Sequence, residues 1–259
     1  MGTLLLVCLA AFTAAALNAV AGGGTFIAFP VLTGLAGLTE KVANVACTIG
    51  LWPGAAASVV AVRKEFAKLP RFMVVGYAIA ALTGGFLGAE LLLHTSERTF
   101  YYAIPWLLAF ATTVFALGKR IAKWANREAA IQTGKGHSIA WTGFVGFIQF
   151  ILSIYGGYFG AGMGVLTLAG LSLVGLSDIR QINVLKVLIS AATNLTAAIV
   201  FMFGPVPWHF VGPMAICSTI GGFVGMHAAQ RLPQVWLRRV ILSIAMLLTA
   251  AYFWKVYAH

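Results

Sequence analysis

The sequence predicts an all-α, polytopic membrane protein made of two inverted repeats of about five helical segments each, with short helices set off by glycine breaks. Three observations carry this reading. Of the 259 residues, 61% are hydrophobic and only 9% are charged, whereas soluble domains carry about a quarter charged residues. Apolar runs approaching the ~20 residues that cross ~30 Å of hydrocarbon recur along the chain. Two glycine-rich stretches, "AGGGT" at 21–25 and "FGAGMG" at 159–164, interrupt those runs at corresponding places.

Each element follows from local pattern. The opening "MGTLLLVCLAAFTAAALNA" ends in an A-x-A at Ala14–Ala16 like a signal peptide, but it lacks a basic start. A matching helix precedes the second break, so residues 3–21 are read as the first structural helix. After AGGGT comes a segment at 25–37, too short to span at 1.5 Å per residue. Spanning helices are expected at 42–62, 72–93 and 99–118. The second half repeats the plan at 139–158, a short 165–175, then 182–203, 209–228 and 236–256. The short pieces read as half-helices or re-entrant elements, whose broken ends need protein or a water-filled cavity around them. The expected organisation is one membrane domain: repeat 1 over 1–120, a cytoplasmic linker over 121–137, and repeat 2 over 138–259.

Self-similarity supports the repeat. Shifted by 137 residues, "LPRFMVVGYAIAALTGGFLGAEL" falls on "VPWHFVGPMAICSTIGGFVGMHA", matching Pro70 with Pro207 and GGFxG with GGFxG. Asn44 falls on Asn183 with a small change of gap. Loop 63–71 carries Arg63, Lys64, Lys68 and Arg71, while its counterpart 204–208 carries no basic residue. The next loop reverses this: Arg98 stands alone in 94–98, against Arg231, Arg238 and Arg239 in 229–239. Basic residues stay on the cytoplasmic side, so the switch implies halves lying upside down to one another, with both termini periplasmic. The net charge of +11 is therefore read as orientation, not as a nucleic-acid face.

Two chemistries are excluded by pattern. Cys8, Cys47 and Cys217 stand singly with no CxxC, giving no redox or metal motif. No cofactor or metal ion is expected. What remains is transport: inverted repeats with interrupted helices place a substrate site near mid-membrane, where the breaks meet. Glycine lets backbone approach a ligand, and a helix restarting at Thr25 or Val165 offers free N–H groups and a positive dipole end. Gly22, Gly23, Gly24, Gly160, Gly162 and Gly164 are thus site candidates. The alternative, close helix packing through small residues, is the preferred reading for GGFLG and GGFVG.

Asn183, Lys186, Ser190 and Asn194 share one helix face, and an intramembrane lysine costs several kcal/mol unless it meets a cavity or partner. Lys186 is the candidate for direct contact with a negative substrate, with snorkelling to the interface as the alternative. The first half offers Asn44 and Thr48, and puts about Cys47 where Lys186 stands. Glu90, opposite His227 in the repeat, could carry protons, or both could mark helix ends facing water. Glu40 with Lys41, and Asp178 with Arg180, read as solvated loop pairs. Trp106, Trp208, Trp236 and Trp254 fit an interfacial belt. Gln149, Ser153, Tyr155 and Tyr158 approach the second break, either to bind an oxyanion or to satisfy freed backbone.

"NAVAGGGTFIAFPVL" followed by "ANVACTIG", and "YGGYFGAGMGVLTLAGL" followed by "DIRQINVLKVLISAATN", together resemble the sulfite exporter TauE/SafE family across nearly the whole chain. That resemblance implies movement of a small sulfur-containing anion, such as sulfite, sulfoacetate or another organosulfonate, across the bacterial inner membrane, with export the usual direction. It carries the paired breaks Gly22, Gly23, Gly24, Gly160, Gly162 and Gly164. The chain departs from the family pattern at Leu168-Ala169-Gly170, where relatives often follow the glycines with a proline. The expectation is a secondary transporter working by alternating access, driven at ~2.3 kcal/mol per charge per 100 mV. An anion channel, or a transporter of a different small anion, is the rival; an intramembrane enzyme or thiol–disulfide carrier lacks supporting spacing. Partners are then the anion and the lipid bilayer, with a homo-oligomer left open.

Overall fold

The structure is a computed structural model that describes every residue except 1, 21, 134–138, 173–178, 229–233 and 259. Its described residues form helices and no strands: α1 Gly2–Val20, α2 Thr25–Gly34, α3 Glu40–Ala61, α4 Arg71–His94, α5 Glu97–Thr133, α6 Ile139–Tyr158, α7 Met163–Leu171, α8 Ile179–Phe201, α9 Trp208–Ala228 and α10 Gln234–Tyr257, with a 3₁₀ turn at Arg63–Lys68. Seven helices are long and apolar enough to cross a membrane among the described residues. The protein is a multi-pass membrane protein.

Two differences from the sequence reading have simple causes. The second short helix begins at Met163, two residues before the expected start, because Gly162 at φ +74° is its N-cap. The basic stretch after 118 is helical as far as Thr133. Charge and lost hydropathy there had suggested a loop, yet Lys, Arg, Ala and Glu are all good helix formers. The α2 and α7 helices, with 10 and 9 residues, extend about 15 Å each, half the hydrocarbon thickness.

Helix pairings come in matched sets. The α4 helix packs on α6 and α8, and α9 packs on α1 and α3. The GGFxG glycines make those contacts. A methyl added at Gly84 would strike the Phe150 carbonyl, and one at Gly221 the Phe12 carbonyl; Gly85 likewise faces the Thr193 carbonyl and Gly222 that of Gly54. In lipid, where apolar burial gives no net drive, small residues that let backbones approach supply the packing. The α5 and α10 helices run in opposite directions: Tyr101 Oη donates to the Lys255 carbonyl at 3.4 Å, and Thr112 and Thr249 share a 3.0 Å hydrogen bond. Phe26, Phe29, Phe100 and Phe159 are fully buried in the main core.

Candidate functional site

The two glycine breaks meet. Gly22 adopts φ +75°, open to glycine but costly for any other residue. A Cβ there would lie 2.8 Å from Gly164 Cα, and one on Gly164 would lie 2.7 Å from Gly22 Cα. Backbone therefore presses on backbone between α1 and the start of α7. Gly160 repeats the geometry of Gly22 with φ +75°. Gly24 and Gly162 are the two helix N-caps, and Gly23 packs against Ile241 and Phe26.

A small cavity opens beside this contact. Asn18, Thr25, Cys47, Thr48, Leu51, Gly160, Met163, Gly164, Ser190 and Asn194 line it. Its free volume of about 20 Å³ suffices for a water but not for an oxoanion, so the walls must separate to admit one. An adjoining recess is lined by Asn18 and Ser190 again, together with Ala15, Ala19, Ala55, Ser58, Lys186 and Val187. Thr25, Thr48, Gly160, Gly164, Ser190 and Asn194 are thus gathered in one cavity, with Lys186 one turn away. Asn183 lines neither space and is partly exposed.

Lys186 does not snorkel. It is 1% exposed, and its Nζ donates to the Asn18 carbonyl at 3.3 Å and the Ala19 carbonyl at 3.1 Å. These carbonyls lie in the last turn of α1, a negative dipole end that suits a cation. Among the described residues no carboxylate pairs with it. Asn44 performs the comparable task on the other break, its Nδ2 donating to the Tyr158 carbonyl at 3.0 Å. Thr48 donates to the Asn44 carbonyl, whereas the buried Ser190 Oγ has no partner and faces the cavity.

The charge is one-sided. Gly54 and Thr193 take corresponding positions under the fourth helices of the two halves. In that register Lys186, Ser190 and Asn194 on α8 stand where α3 has Cys47, Leu51 and Ala55.

Other expectations resolve differently. Tyr155 Oη donates to the Ala161 carbonyl at 2.9 Å, satisfying backbone freed at the second break. Tyr158 Oη bonds Thr95. Glu90 and His227 lie outside both spaces: Glu90 is 3.7 Å from His94 Nδ1, and His227 stacks on Phe223. Glu40 and Lys41 do not pair with each other. Glu40 binds Lys255 Nζ at 2.9 Å, and Lys41 caps α4 through the carbonyls of Leu93 and Thr95. Asp178 lies outside the described residues. Among those residues no three His, Cys, Asp or Glu side chains gather as a metal site.

Sequence spacing missed Asn18 and the thiol pair. Asn18 is the one amide in α1, a turn before the glycines, and that position was its signal. Cys8 and Cys217 stand far apart in sequence, yet they are neighbours across the packed helices α1 and α9. Mild oxidation should close an intramolecular disulfide between them. The check is loss of maleimide labelling at both thiols, restored at Cys217 by Cys8→Ser.

The sequence model of one family, described as Sulfite exporter TauE/SafE, matches residues 7–253. No curated protein and no solved structure matches the chain.

Proposed function

The chain belongs to the sulfite exporter TauE/SafE family, and on that footing we propose that it is a secondary transporter moving sulfite or an organosulfonate out across the bacterial inner membrane by alternating access. Family and fold support a membrane transporter of a small, sulfur-related anion, and members of the family are transporters, not enzymes. The observation that carries the finer reading is the cavity between the two touching glycine breaks, where Ser190 Oγ, unpaired among the described residues, opens toward a recess holding a lysine that no described carboxylate pairs.

Substrate would sit between Thr25, Thr48, Gly164, Ser190 and Asn194. The Gly164 N–H, which has no acceptor among the described residues, would donate to an anionic oxygen, as helix starts do. Lys186 would supply charge from the recess. Gly22, Gly23, Gly24, Gly160 and Gly162 would act as the breaks at which the short helices pivot, and Asn44 and Asn183 as framing groups. Proton coupling through Glu90 or His227 finds no support in their distance from the cavity.

Two inverted repeats, 1–120 and 138–259, are part of the same proposal. The antiparallel course of α5 and α10, with repeat-equivalent Thr112 and Thr249 in contact, supports a two-fold axis between them. The charge switch supports periplasmic termini. A narrow, closed cavity supports a carrier over a channel.

The test is thermal unfolding of purified protein in sulfite, sulfoacetate, taurine, sulfate, phosphate and acetate at matched ionic strength, followed by counterflow in proteoliposomes. A ligand at a hundred times its Kd adds ~2.7 kcal/mol, a visible shift. The expected result is a saturable shift with a sulfur anion, weakened by Ser190→Ala and Asn194→Ala, and counterflow of that anion. A shift only with phosphate or acetate would discard the substrate; conduction without counterflow would discard the carrier.

A further inference from the structure

The packing of α4, α6 and α7 buries a set of polar atoms that neither the cavity nor the helix ends use. Gln149 Oε1, Ser153 Oγ, Thr167 Oγ1 and Tyr77 Oη are all enclosed and without a hydrogen-bond partner, on residues no more than 2% exposed. Buried polar atoms are almost always satisfied, so four orphans in one part of a protein point to something that binds them.

The elements bring three of them to one place. Gln149 and Ser153 are one turn apart on the same face of α6. The α6 and α7 helices fold back on each other: Gln149 Nε2 donates to the Thr167 carbonyl at 3.2 Å, while Met163 packs on Gly156. Thr167 therefore faces the Gln149–Ser153 turn. Tyr77 lies two turns before Gly84, which rests on Ser153 Cβ, along the face of α4 that packs on α6.

The fold does not require these groups. Gly84 meets the Phe150 carbonyl as Gly221 meets that of Phe12, and Gly22 matches Gly160 in conformation. In that correspondence Ala11, Ala15, Phe29 and Met214 stand at the places that Gln149, Ser153, Thr167 and Tyr77 take in this cluster. All four counterparts are buried and apolar, so an apolar filling serves the same packing.

The chemistry of the orphans selects the occupant. Elsewhere in the chain the hydroxyls of Thr33, Thr48, Ser58, Thr83, Ser172 and Thr249 donate to the carbonyl four residues back. Ser153 and Thr167 do not, and their oxygens stay free. Gln149 Oε1 only accepts, so it calls for a donor or a cation opposite it, and the hydroxyls can turn their lone pairs toward the same point. A neutral set of oxygens without a carboxylate suits a monovalent cation better than a divalent one, whose sites draw on carboxylates.

We propose that Gln149, Ser153 and Thr167, completed by Tyr77, form a buried site for a monovalent alkali cation, with sodium the probe of choice. The site lies one turn along α7 from Met163 and Gly164, which line the anion cavity. Cation and anion would thus grip the same nine-residue helix, and a sodium gradient would have a physical route to the transported anion.

The experiment is thermal unfolding of the full-length protein, without oxoanion, in sodium, potassium or choline chloride at equal ionic strength. A saturable rise of several degrees in sodium or potassium over choline is expected. It should vanish in Thr167→Val and in Ser153→Ala, and persist in Ser190→Ala, which alters the anion cavity alone. Should Thr167→Val fail to fold, Ser153→Ala carries the test, since it installs the alanine that the first half uses at this place. Equal midpoints in all three salts would mean that water alone fills the cluster and would overturn the proposal. So would an alkali-cation effect that survives both substitutions.

Discussion

Gly22→Ala is expected to remove most folded, transport-competent protein. The new Cβ would lie 2.8 Å from Gly164 C and Cα and 2.9 Å from Val165 N. Those are backbone atoms at the start of α7, so no side chain can swing aside. Left-handed backbone adds about 1–2 kcal/mol for a non-glycine residue, and overpacking about 1–3 kcal/mol more. The sum, roughly 2–5 kcal/mol, is a large part of a typical total stability of 5–15 kcal/mol. Gly164→Ala meets the same contact from the other side without left-handed backbone and should cost about 1–3 kcal/mol, and the two should not add, because they disturb one contact. Gly76→Ala is the control: its Cβ meets nothing within 4 Å, in mid-helix, where alanine improves propensity. The readouts are the monodisperse fraction after detergent extraction, the unfolding midpoint and counterflow. A Gly22→Ala protein with the wild-type midpoint and rate would mean that the breaks part freely and do not bear on each other.

The contact at Gly22 also illustrates what was legible beforehand. The break itself could be read, because three consecutive glycines in an apolar run need a backbone reason. That it presses on Gly164 could not, since a contact between halves is a property of packing. The helices were legible for the same cause, a solvent that enforces internal hydrogen bonding and long apolar runs. The exception was the end of α5, where hydropathy stops but helix propensity continues.

Within the candidate site the polar stripe of α8 was visible from spacing, yet its members divide in three dimensions. Ser190 and Asn194 reach the cavity, Lys186 the recess, and Asn183 neither. The reason is that the Lys186 side chain reaches the C-terminal end of α1, whose carbonyls intercept the ammonium. Glu90 and His227 were paired by repeat alignment, which reports equivalence and says nothing of proximity to the other half. The thiol pair of Cys8 and Cys217 fails the same way in reverse: neighbours with no shared sequence pattern.

Lys186→Met should then separate two roles that the geometry gives one side chain. Methionine keeps the apolar length and loses the charge. Two carbonyls, of Asn18 and Ala19, lose the donor that reaches them at 3.3 and 3.1 Å. Hydrogen bonds to a charged group contribute about 1.5–3 kcal/mol, so stability without any anion should fall by about that much. A cap and nothing more would stop there, leaving anion affinity unchanged. The one-sided charge of the site argues for a further loss: with Cys47, Leu51 and Ala55 at the corresponding places, α3 offers no charge to replace Lys186. The same 1.5–3 kcal/mol, if part of it is felt by an anion beside Ser190, weakens binding roughly tenfold to a hundredfold. The expected result is therefore a lower midpoint in the absence of anion together with a rightward shift of the anion titration by one to two decades, in order-of-magnitude terms. Lys186→Arg should keep the charge but crowd the closed recess, since the planar fork does not fit a site shaped for an ammonium, and so lower the midpoint while retaining an anion response. If Lys186→Met lowered the midpoint alone and titrated with the anion as wild type does, the lysine would be a helix cap, and the anion would be held by the Gly164 N–H and the α8 hydroxyl and amide without it.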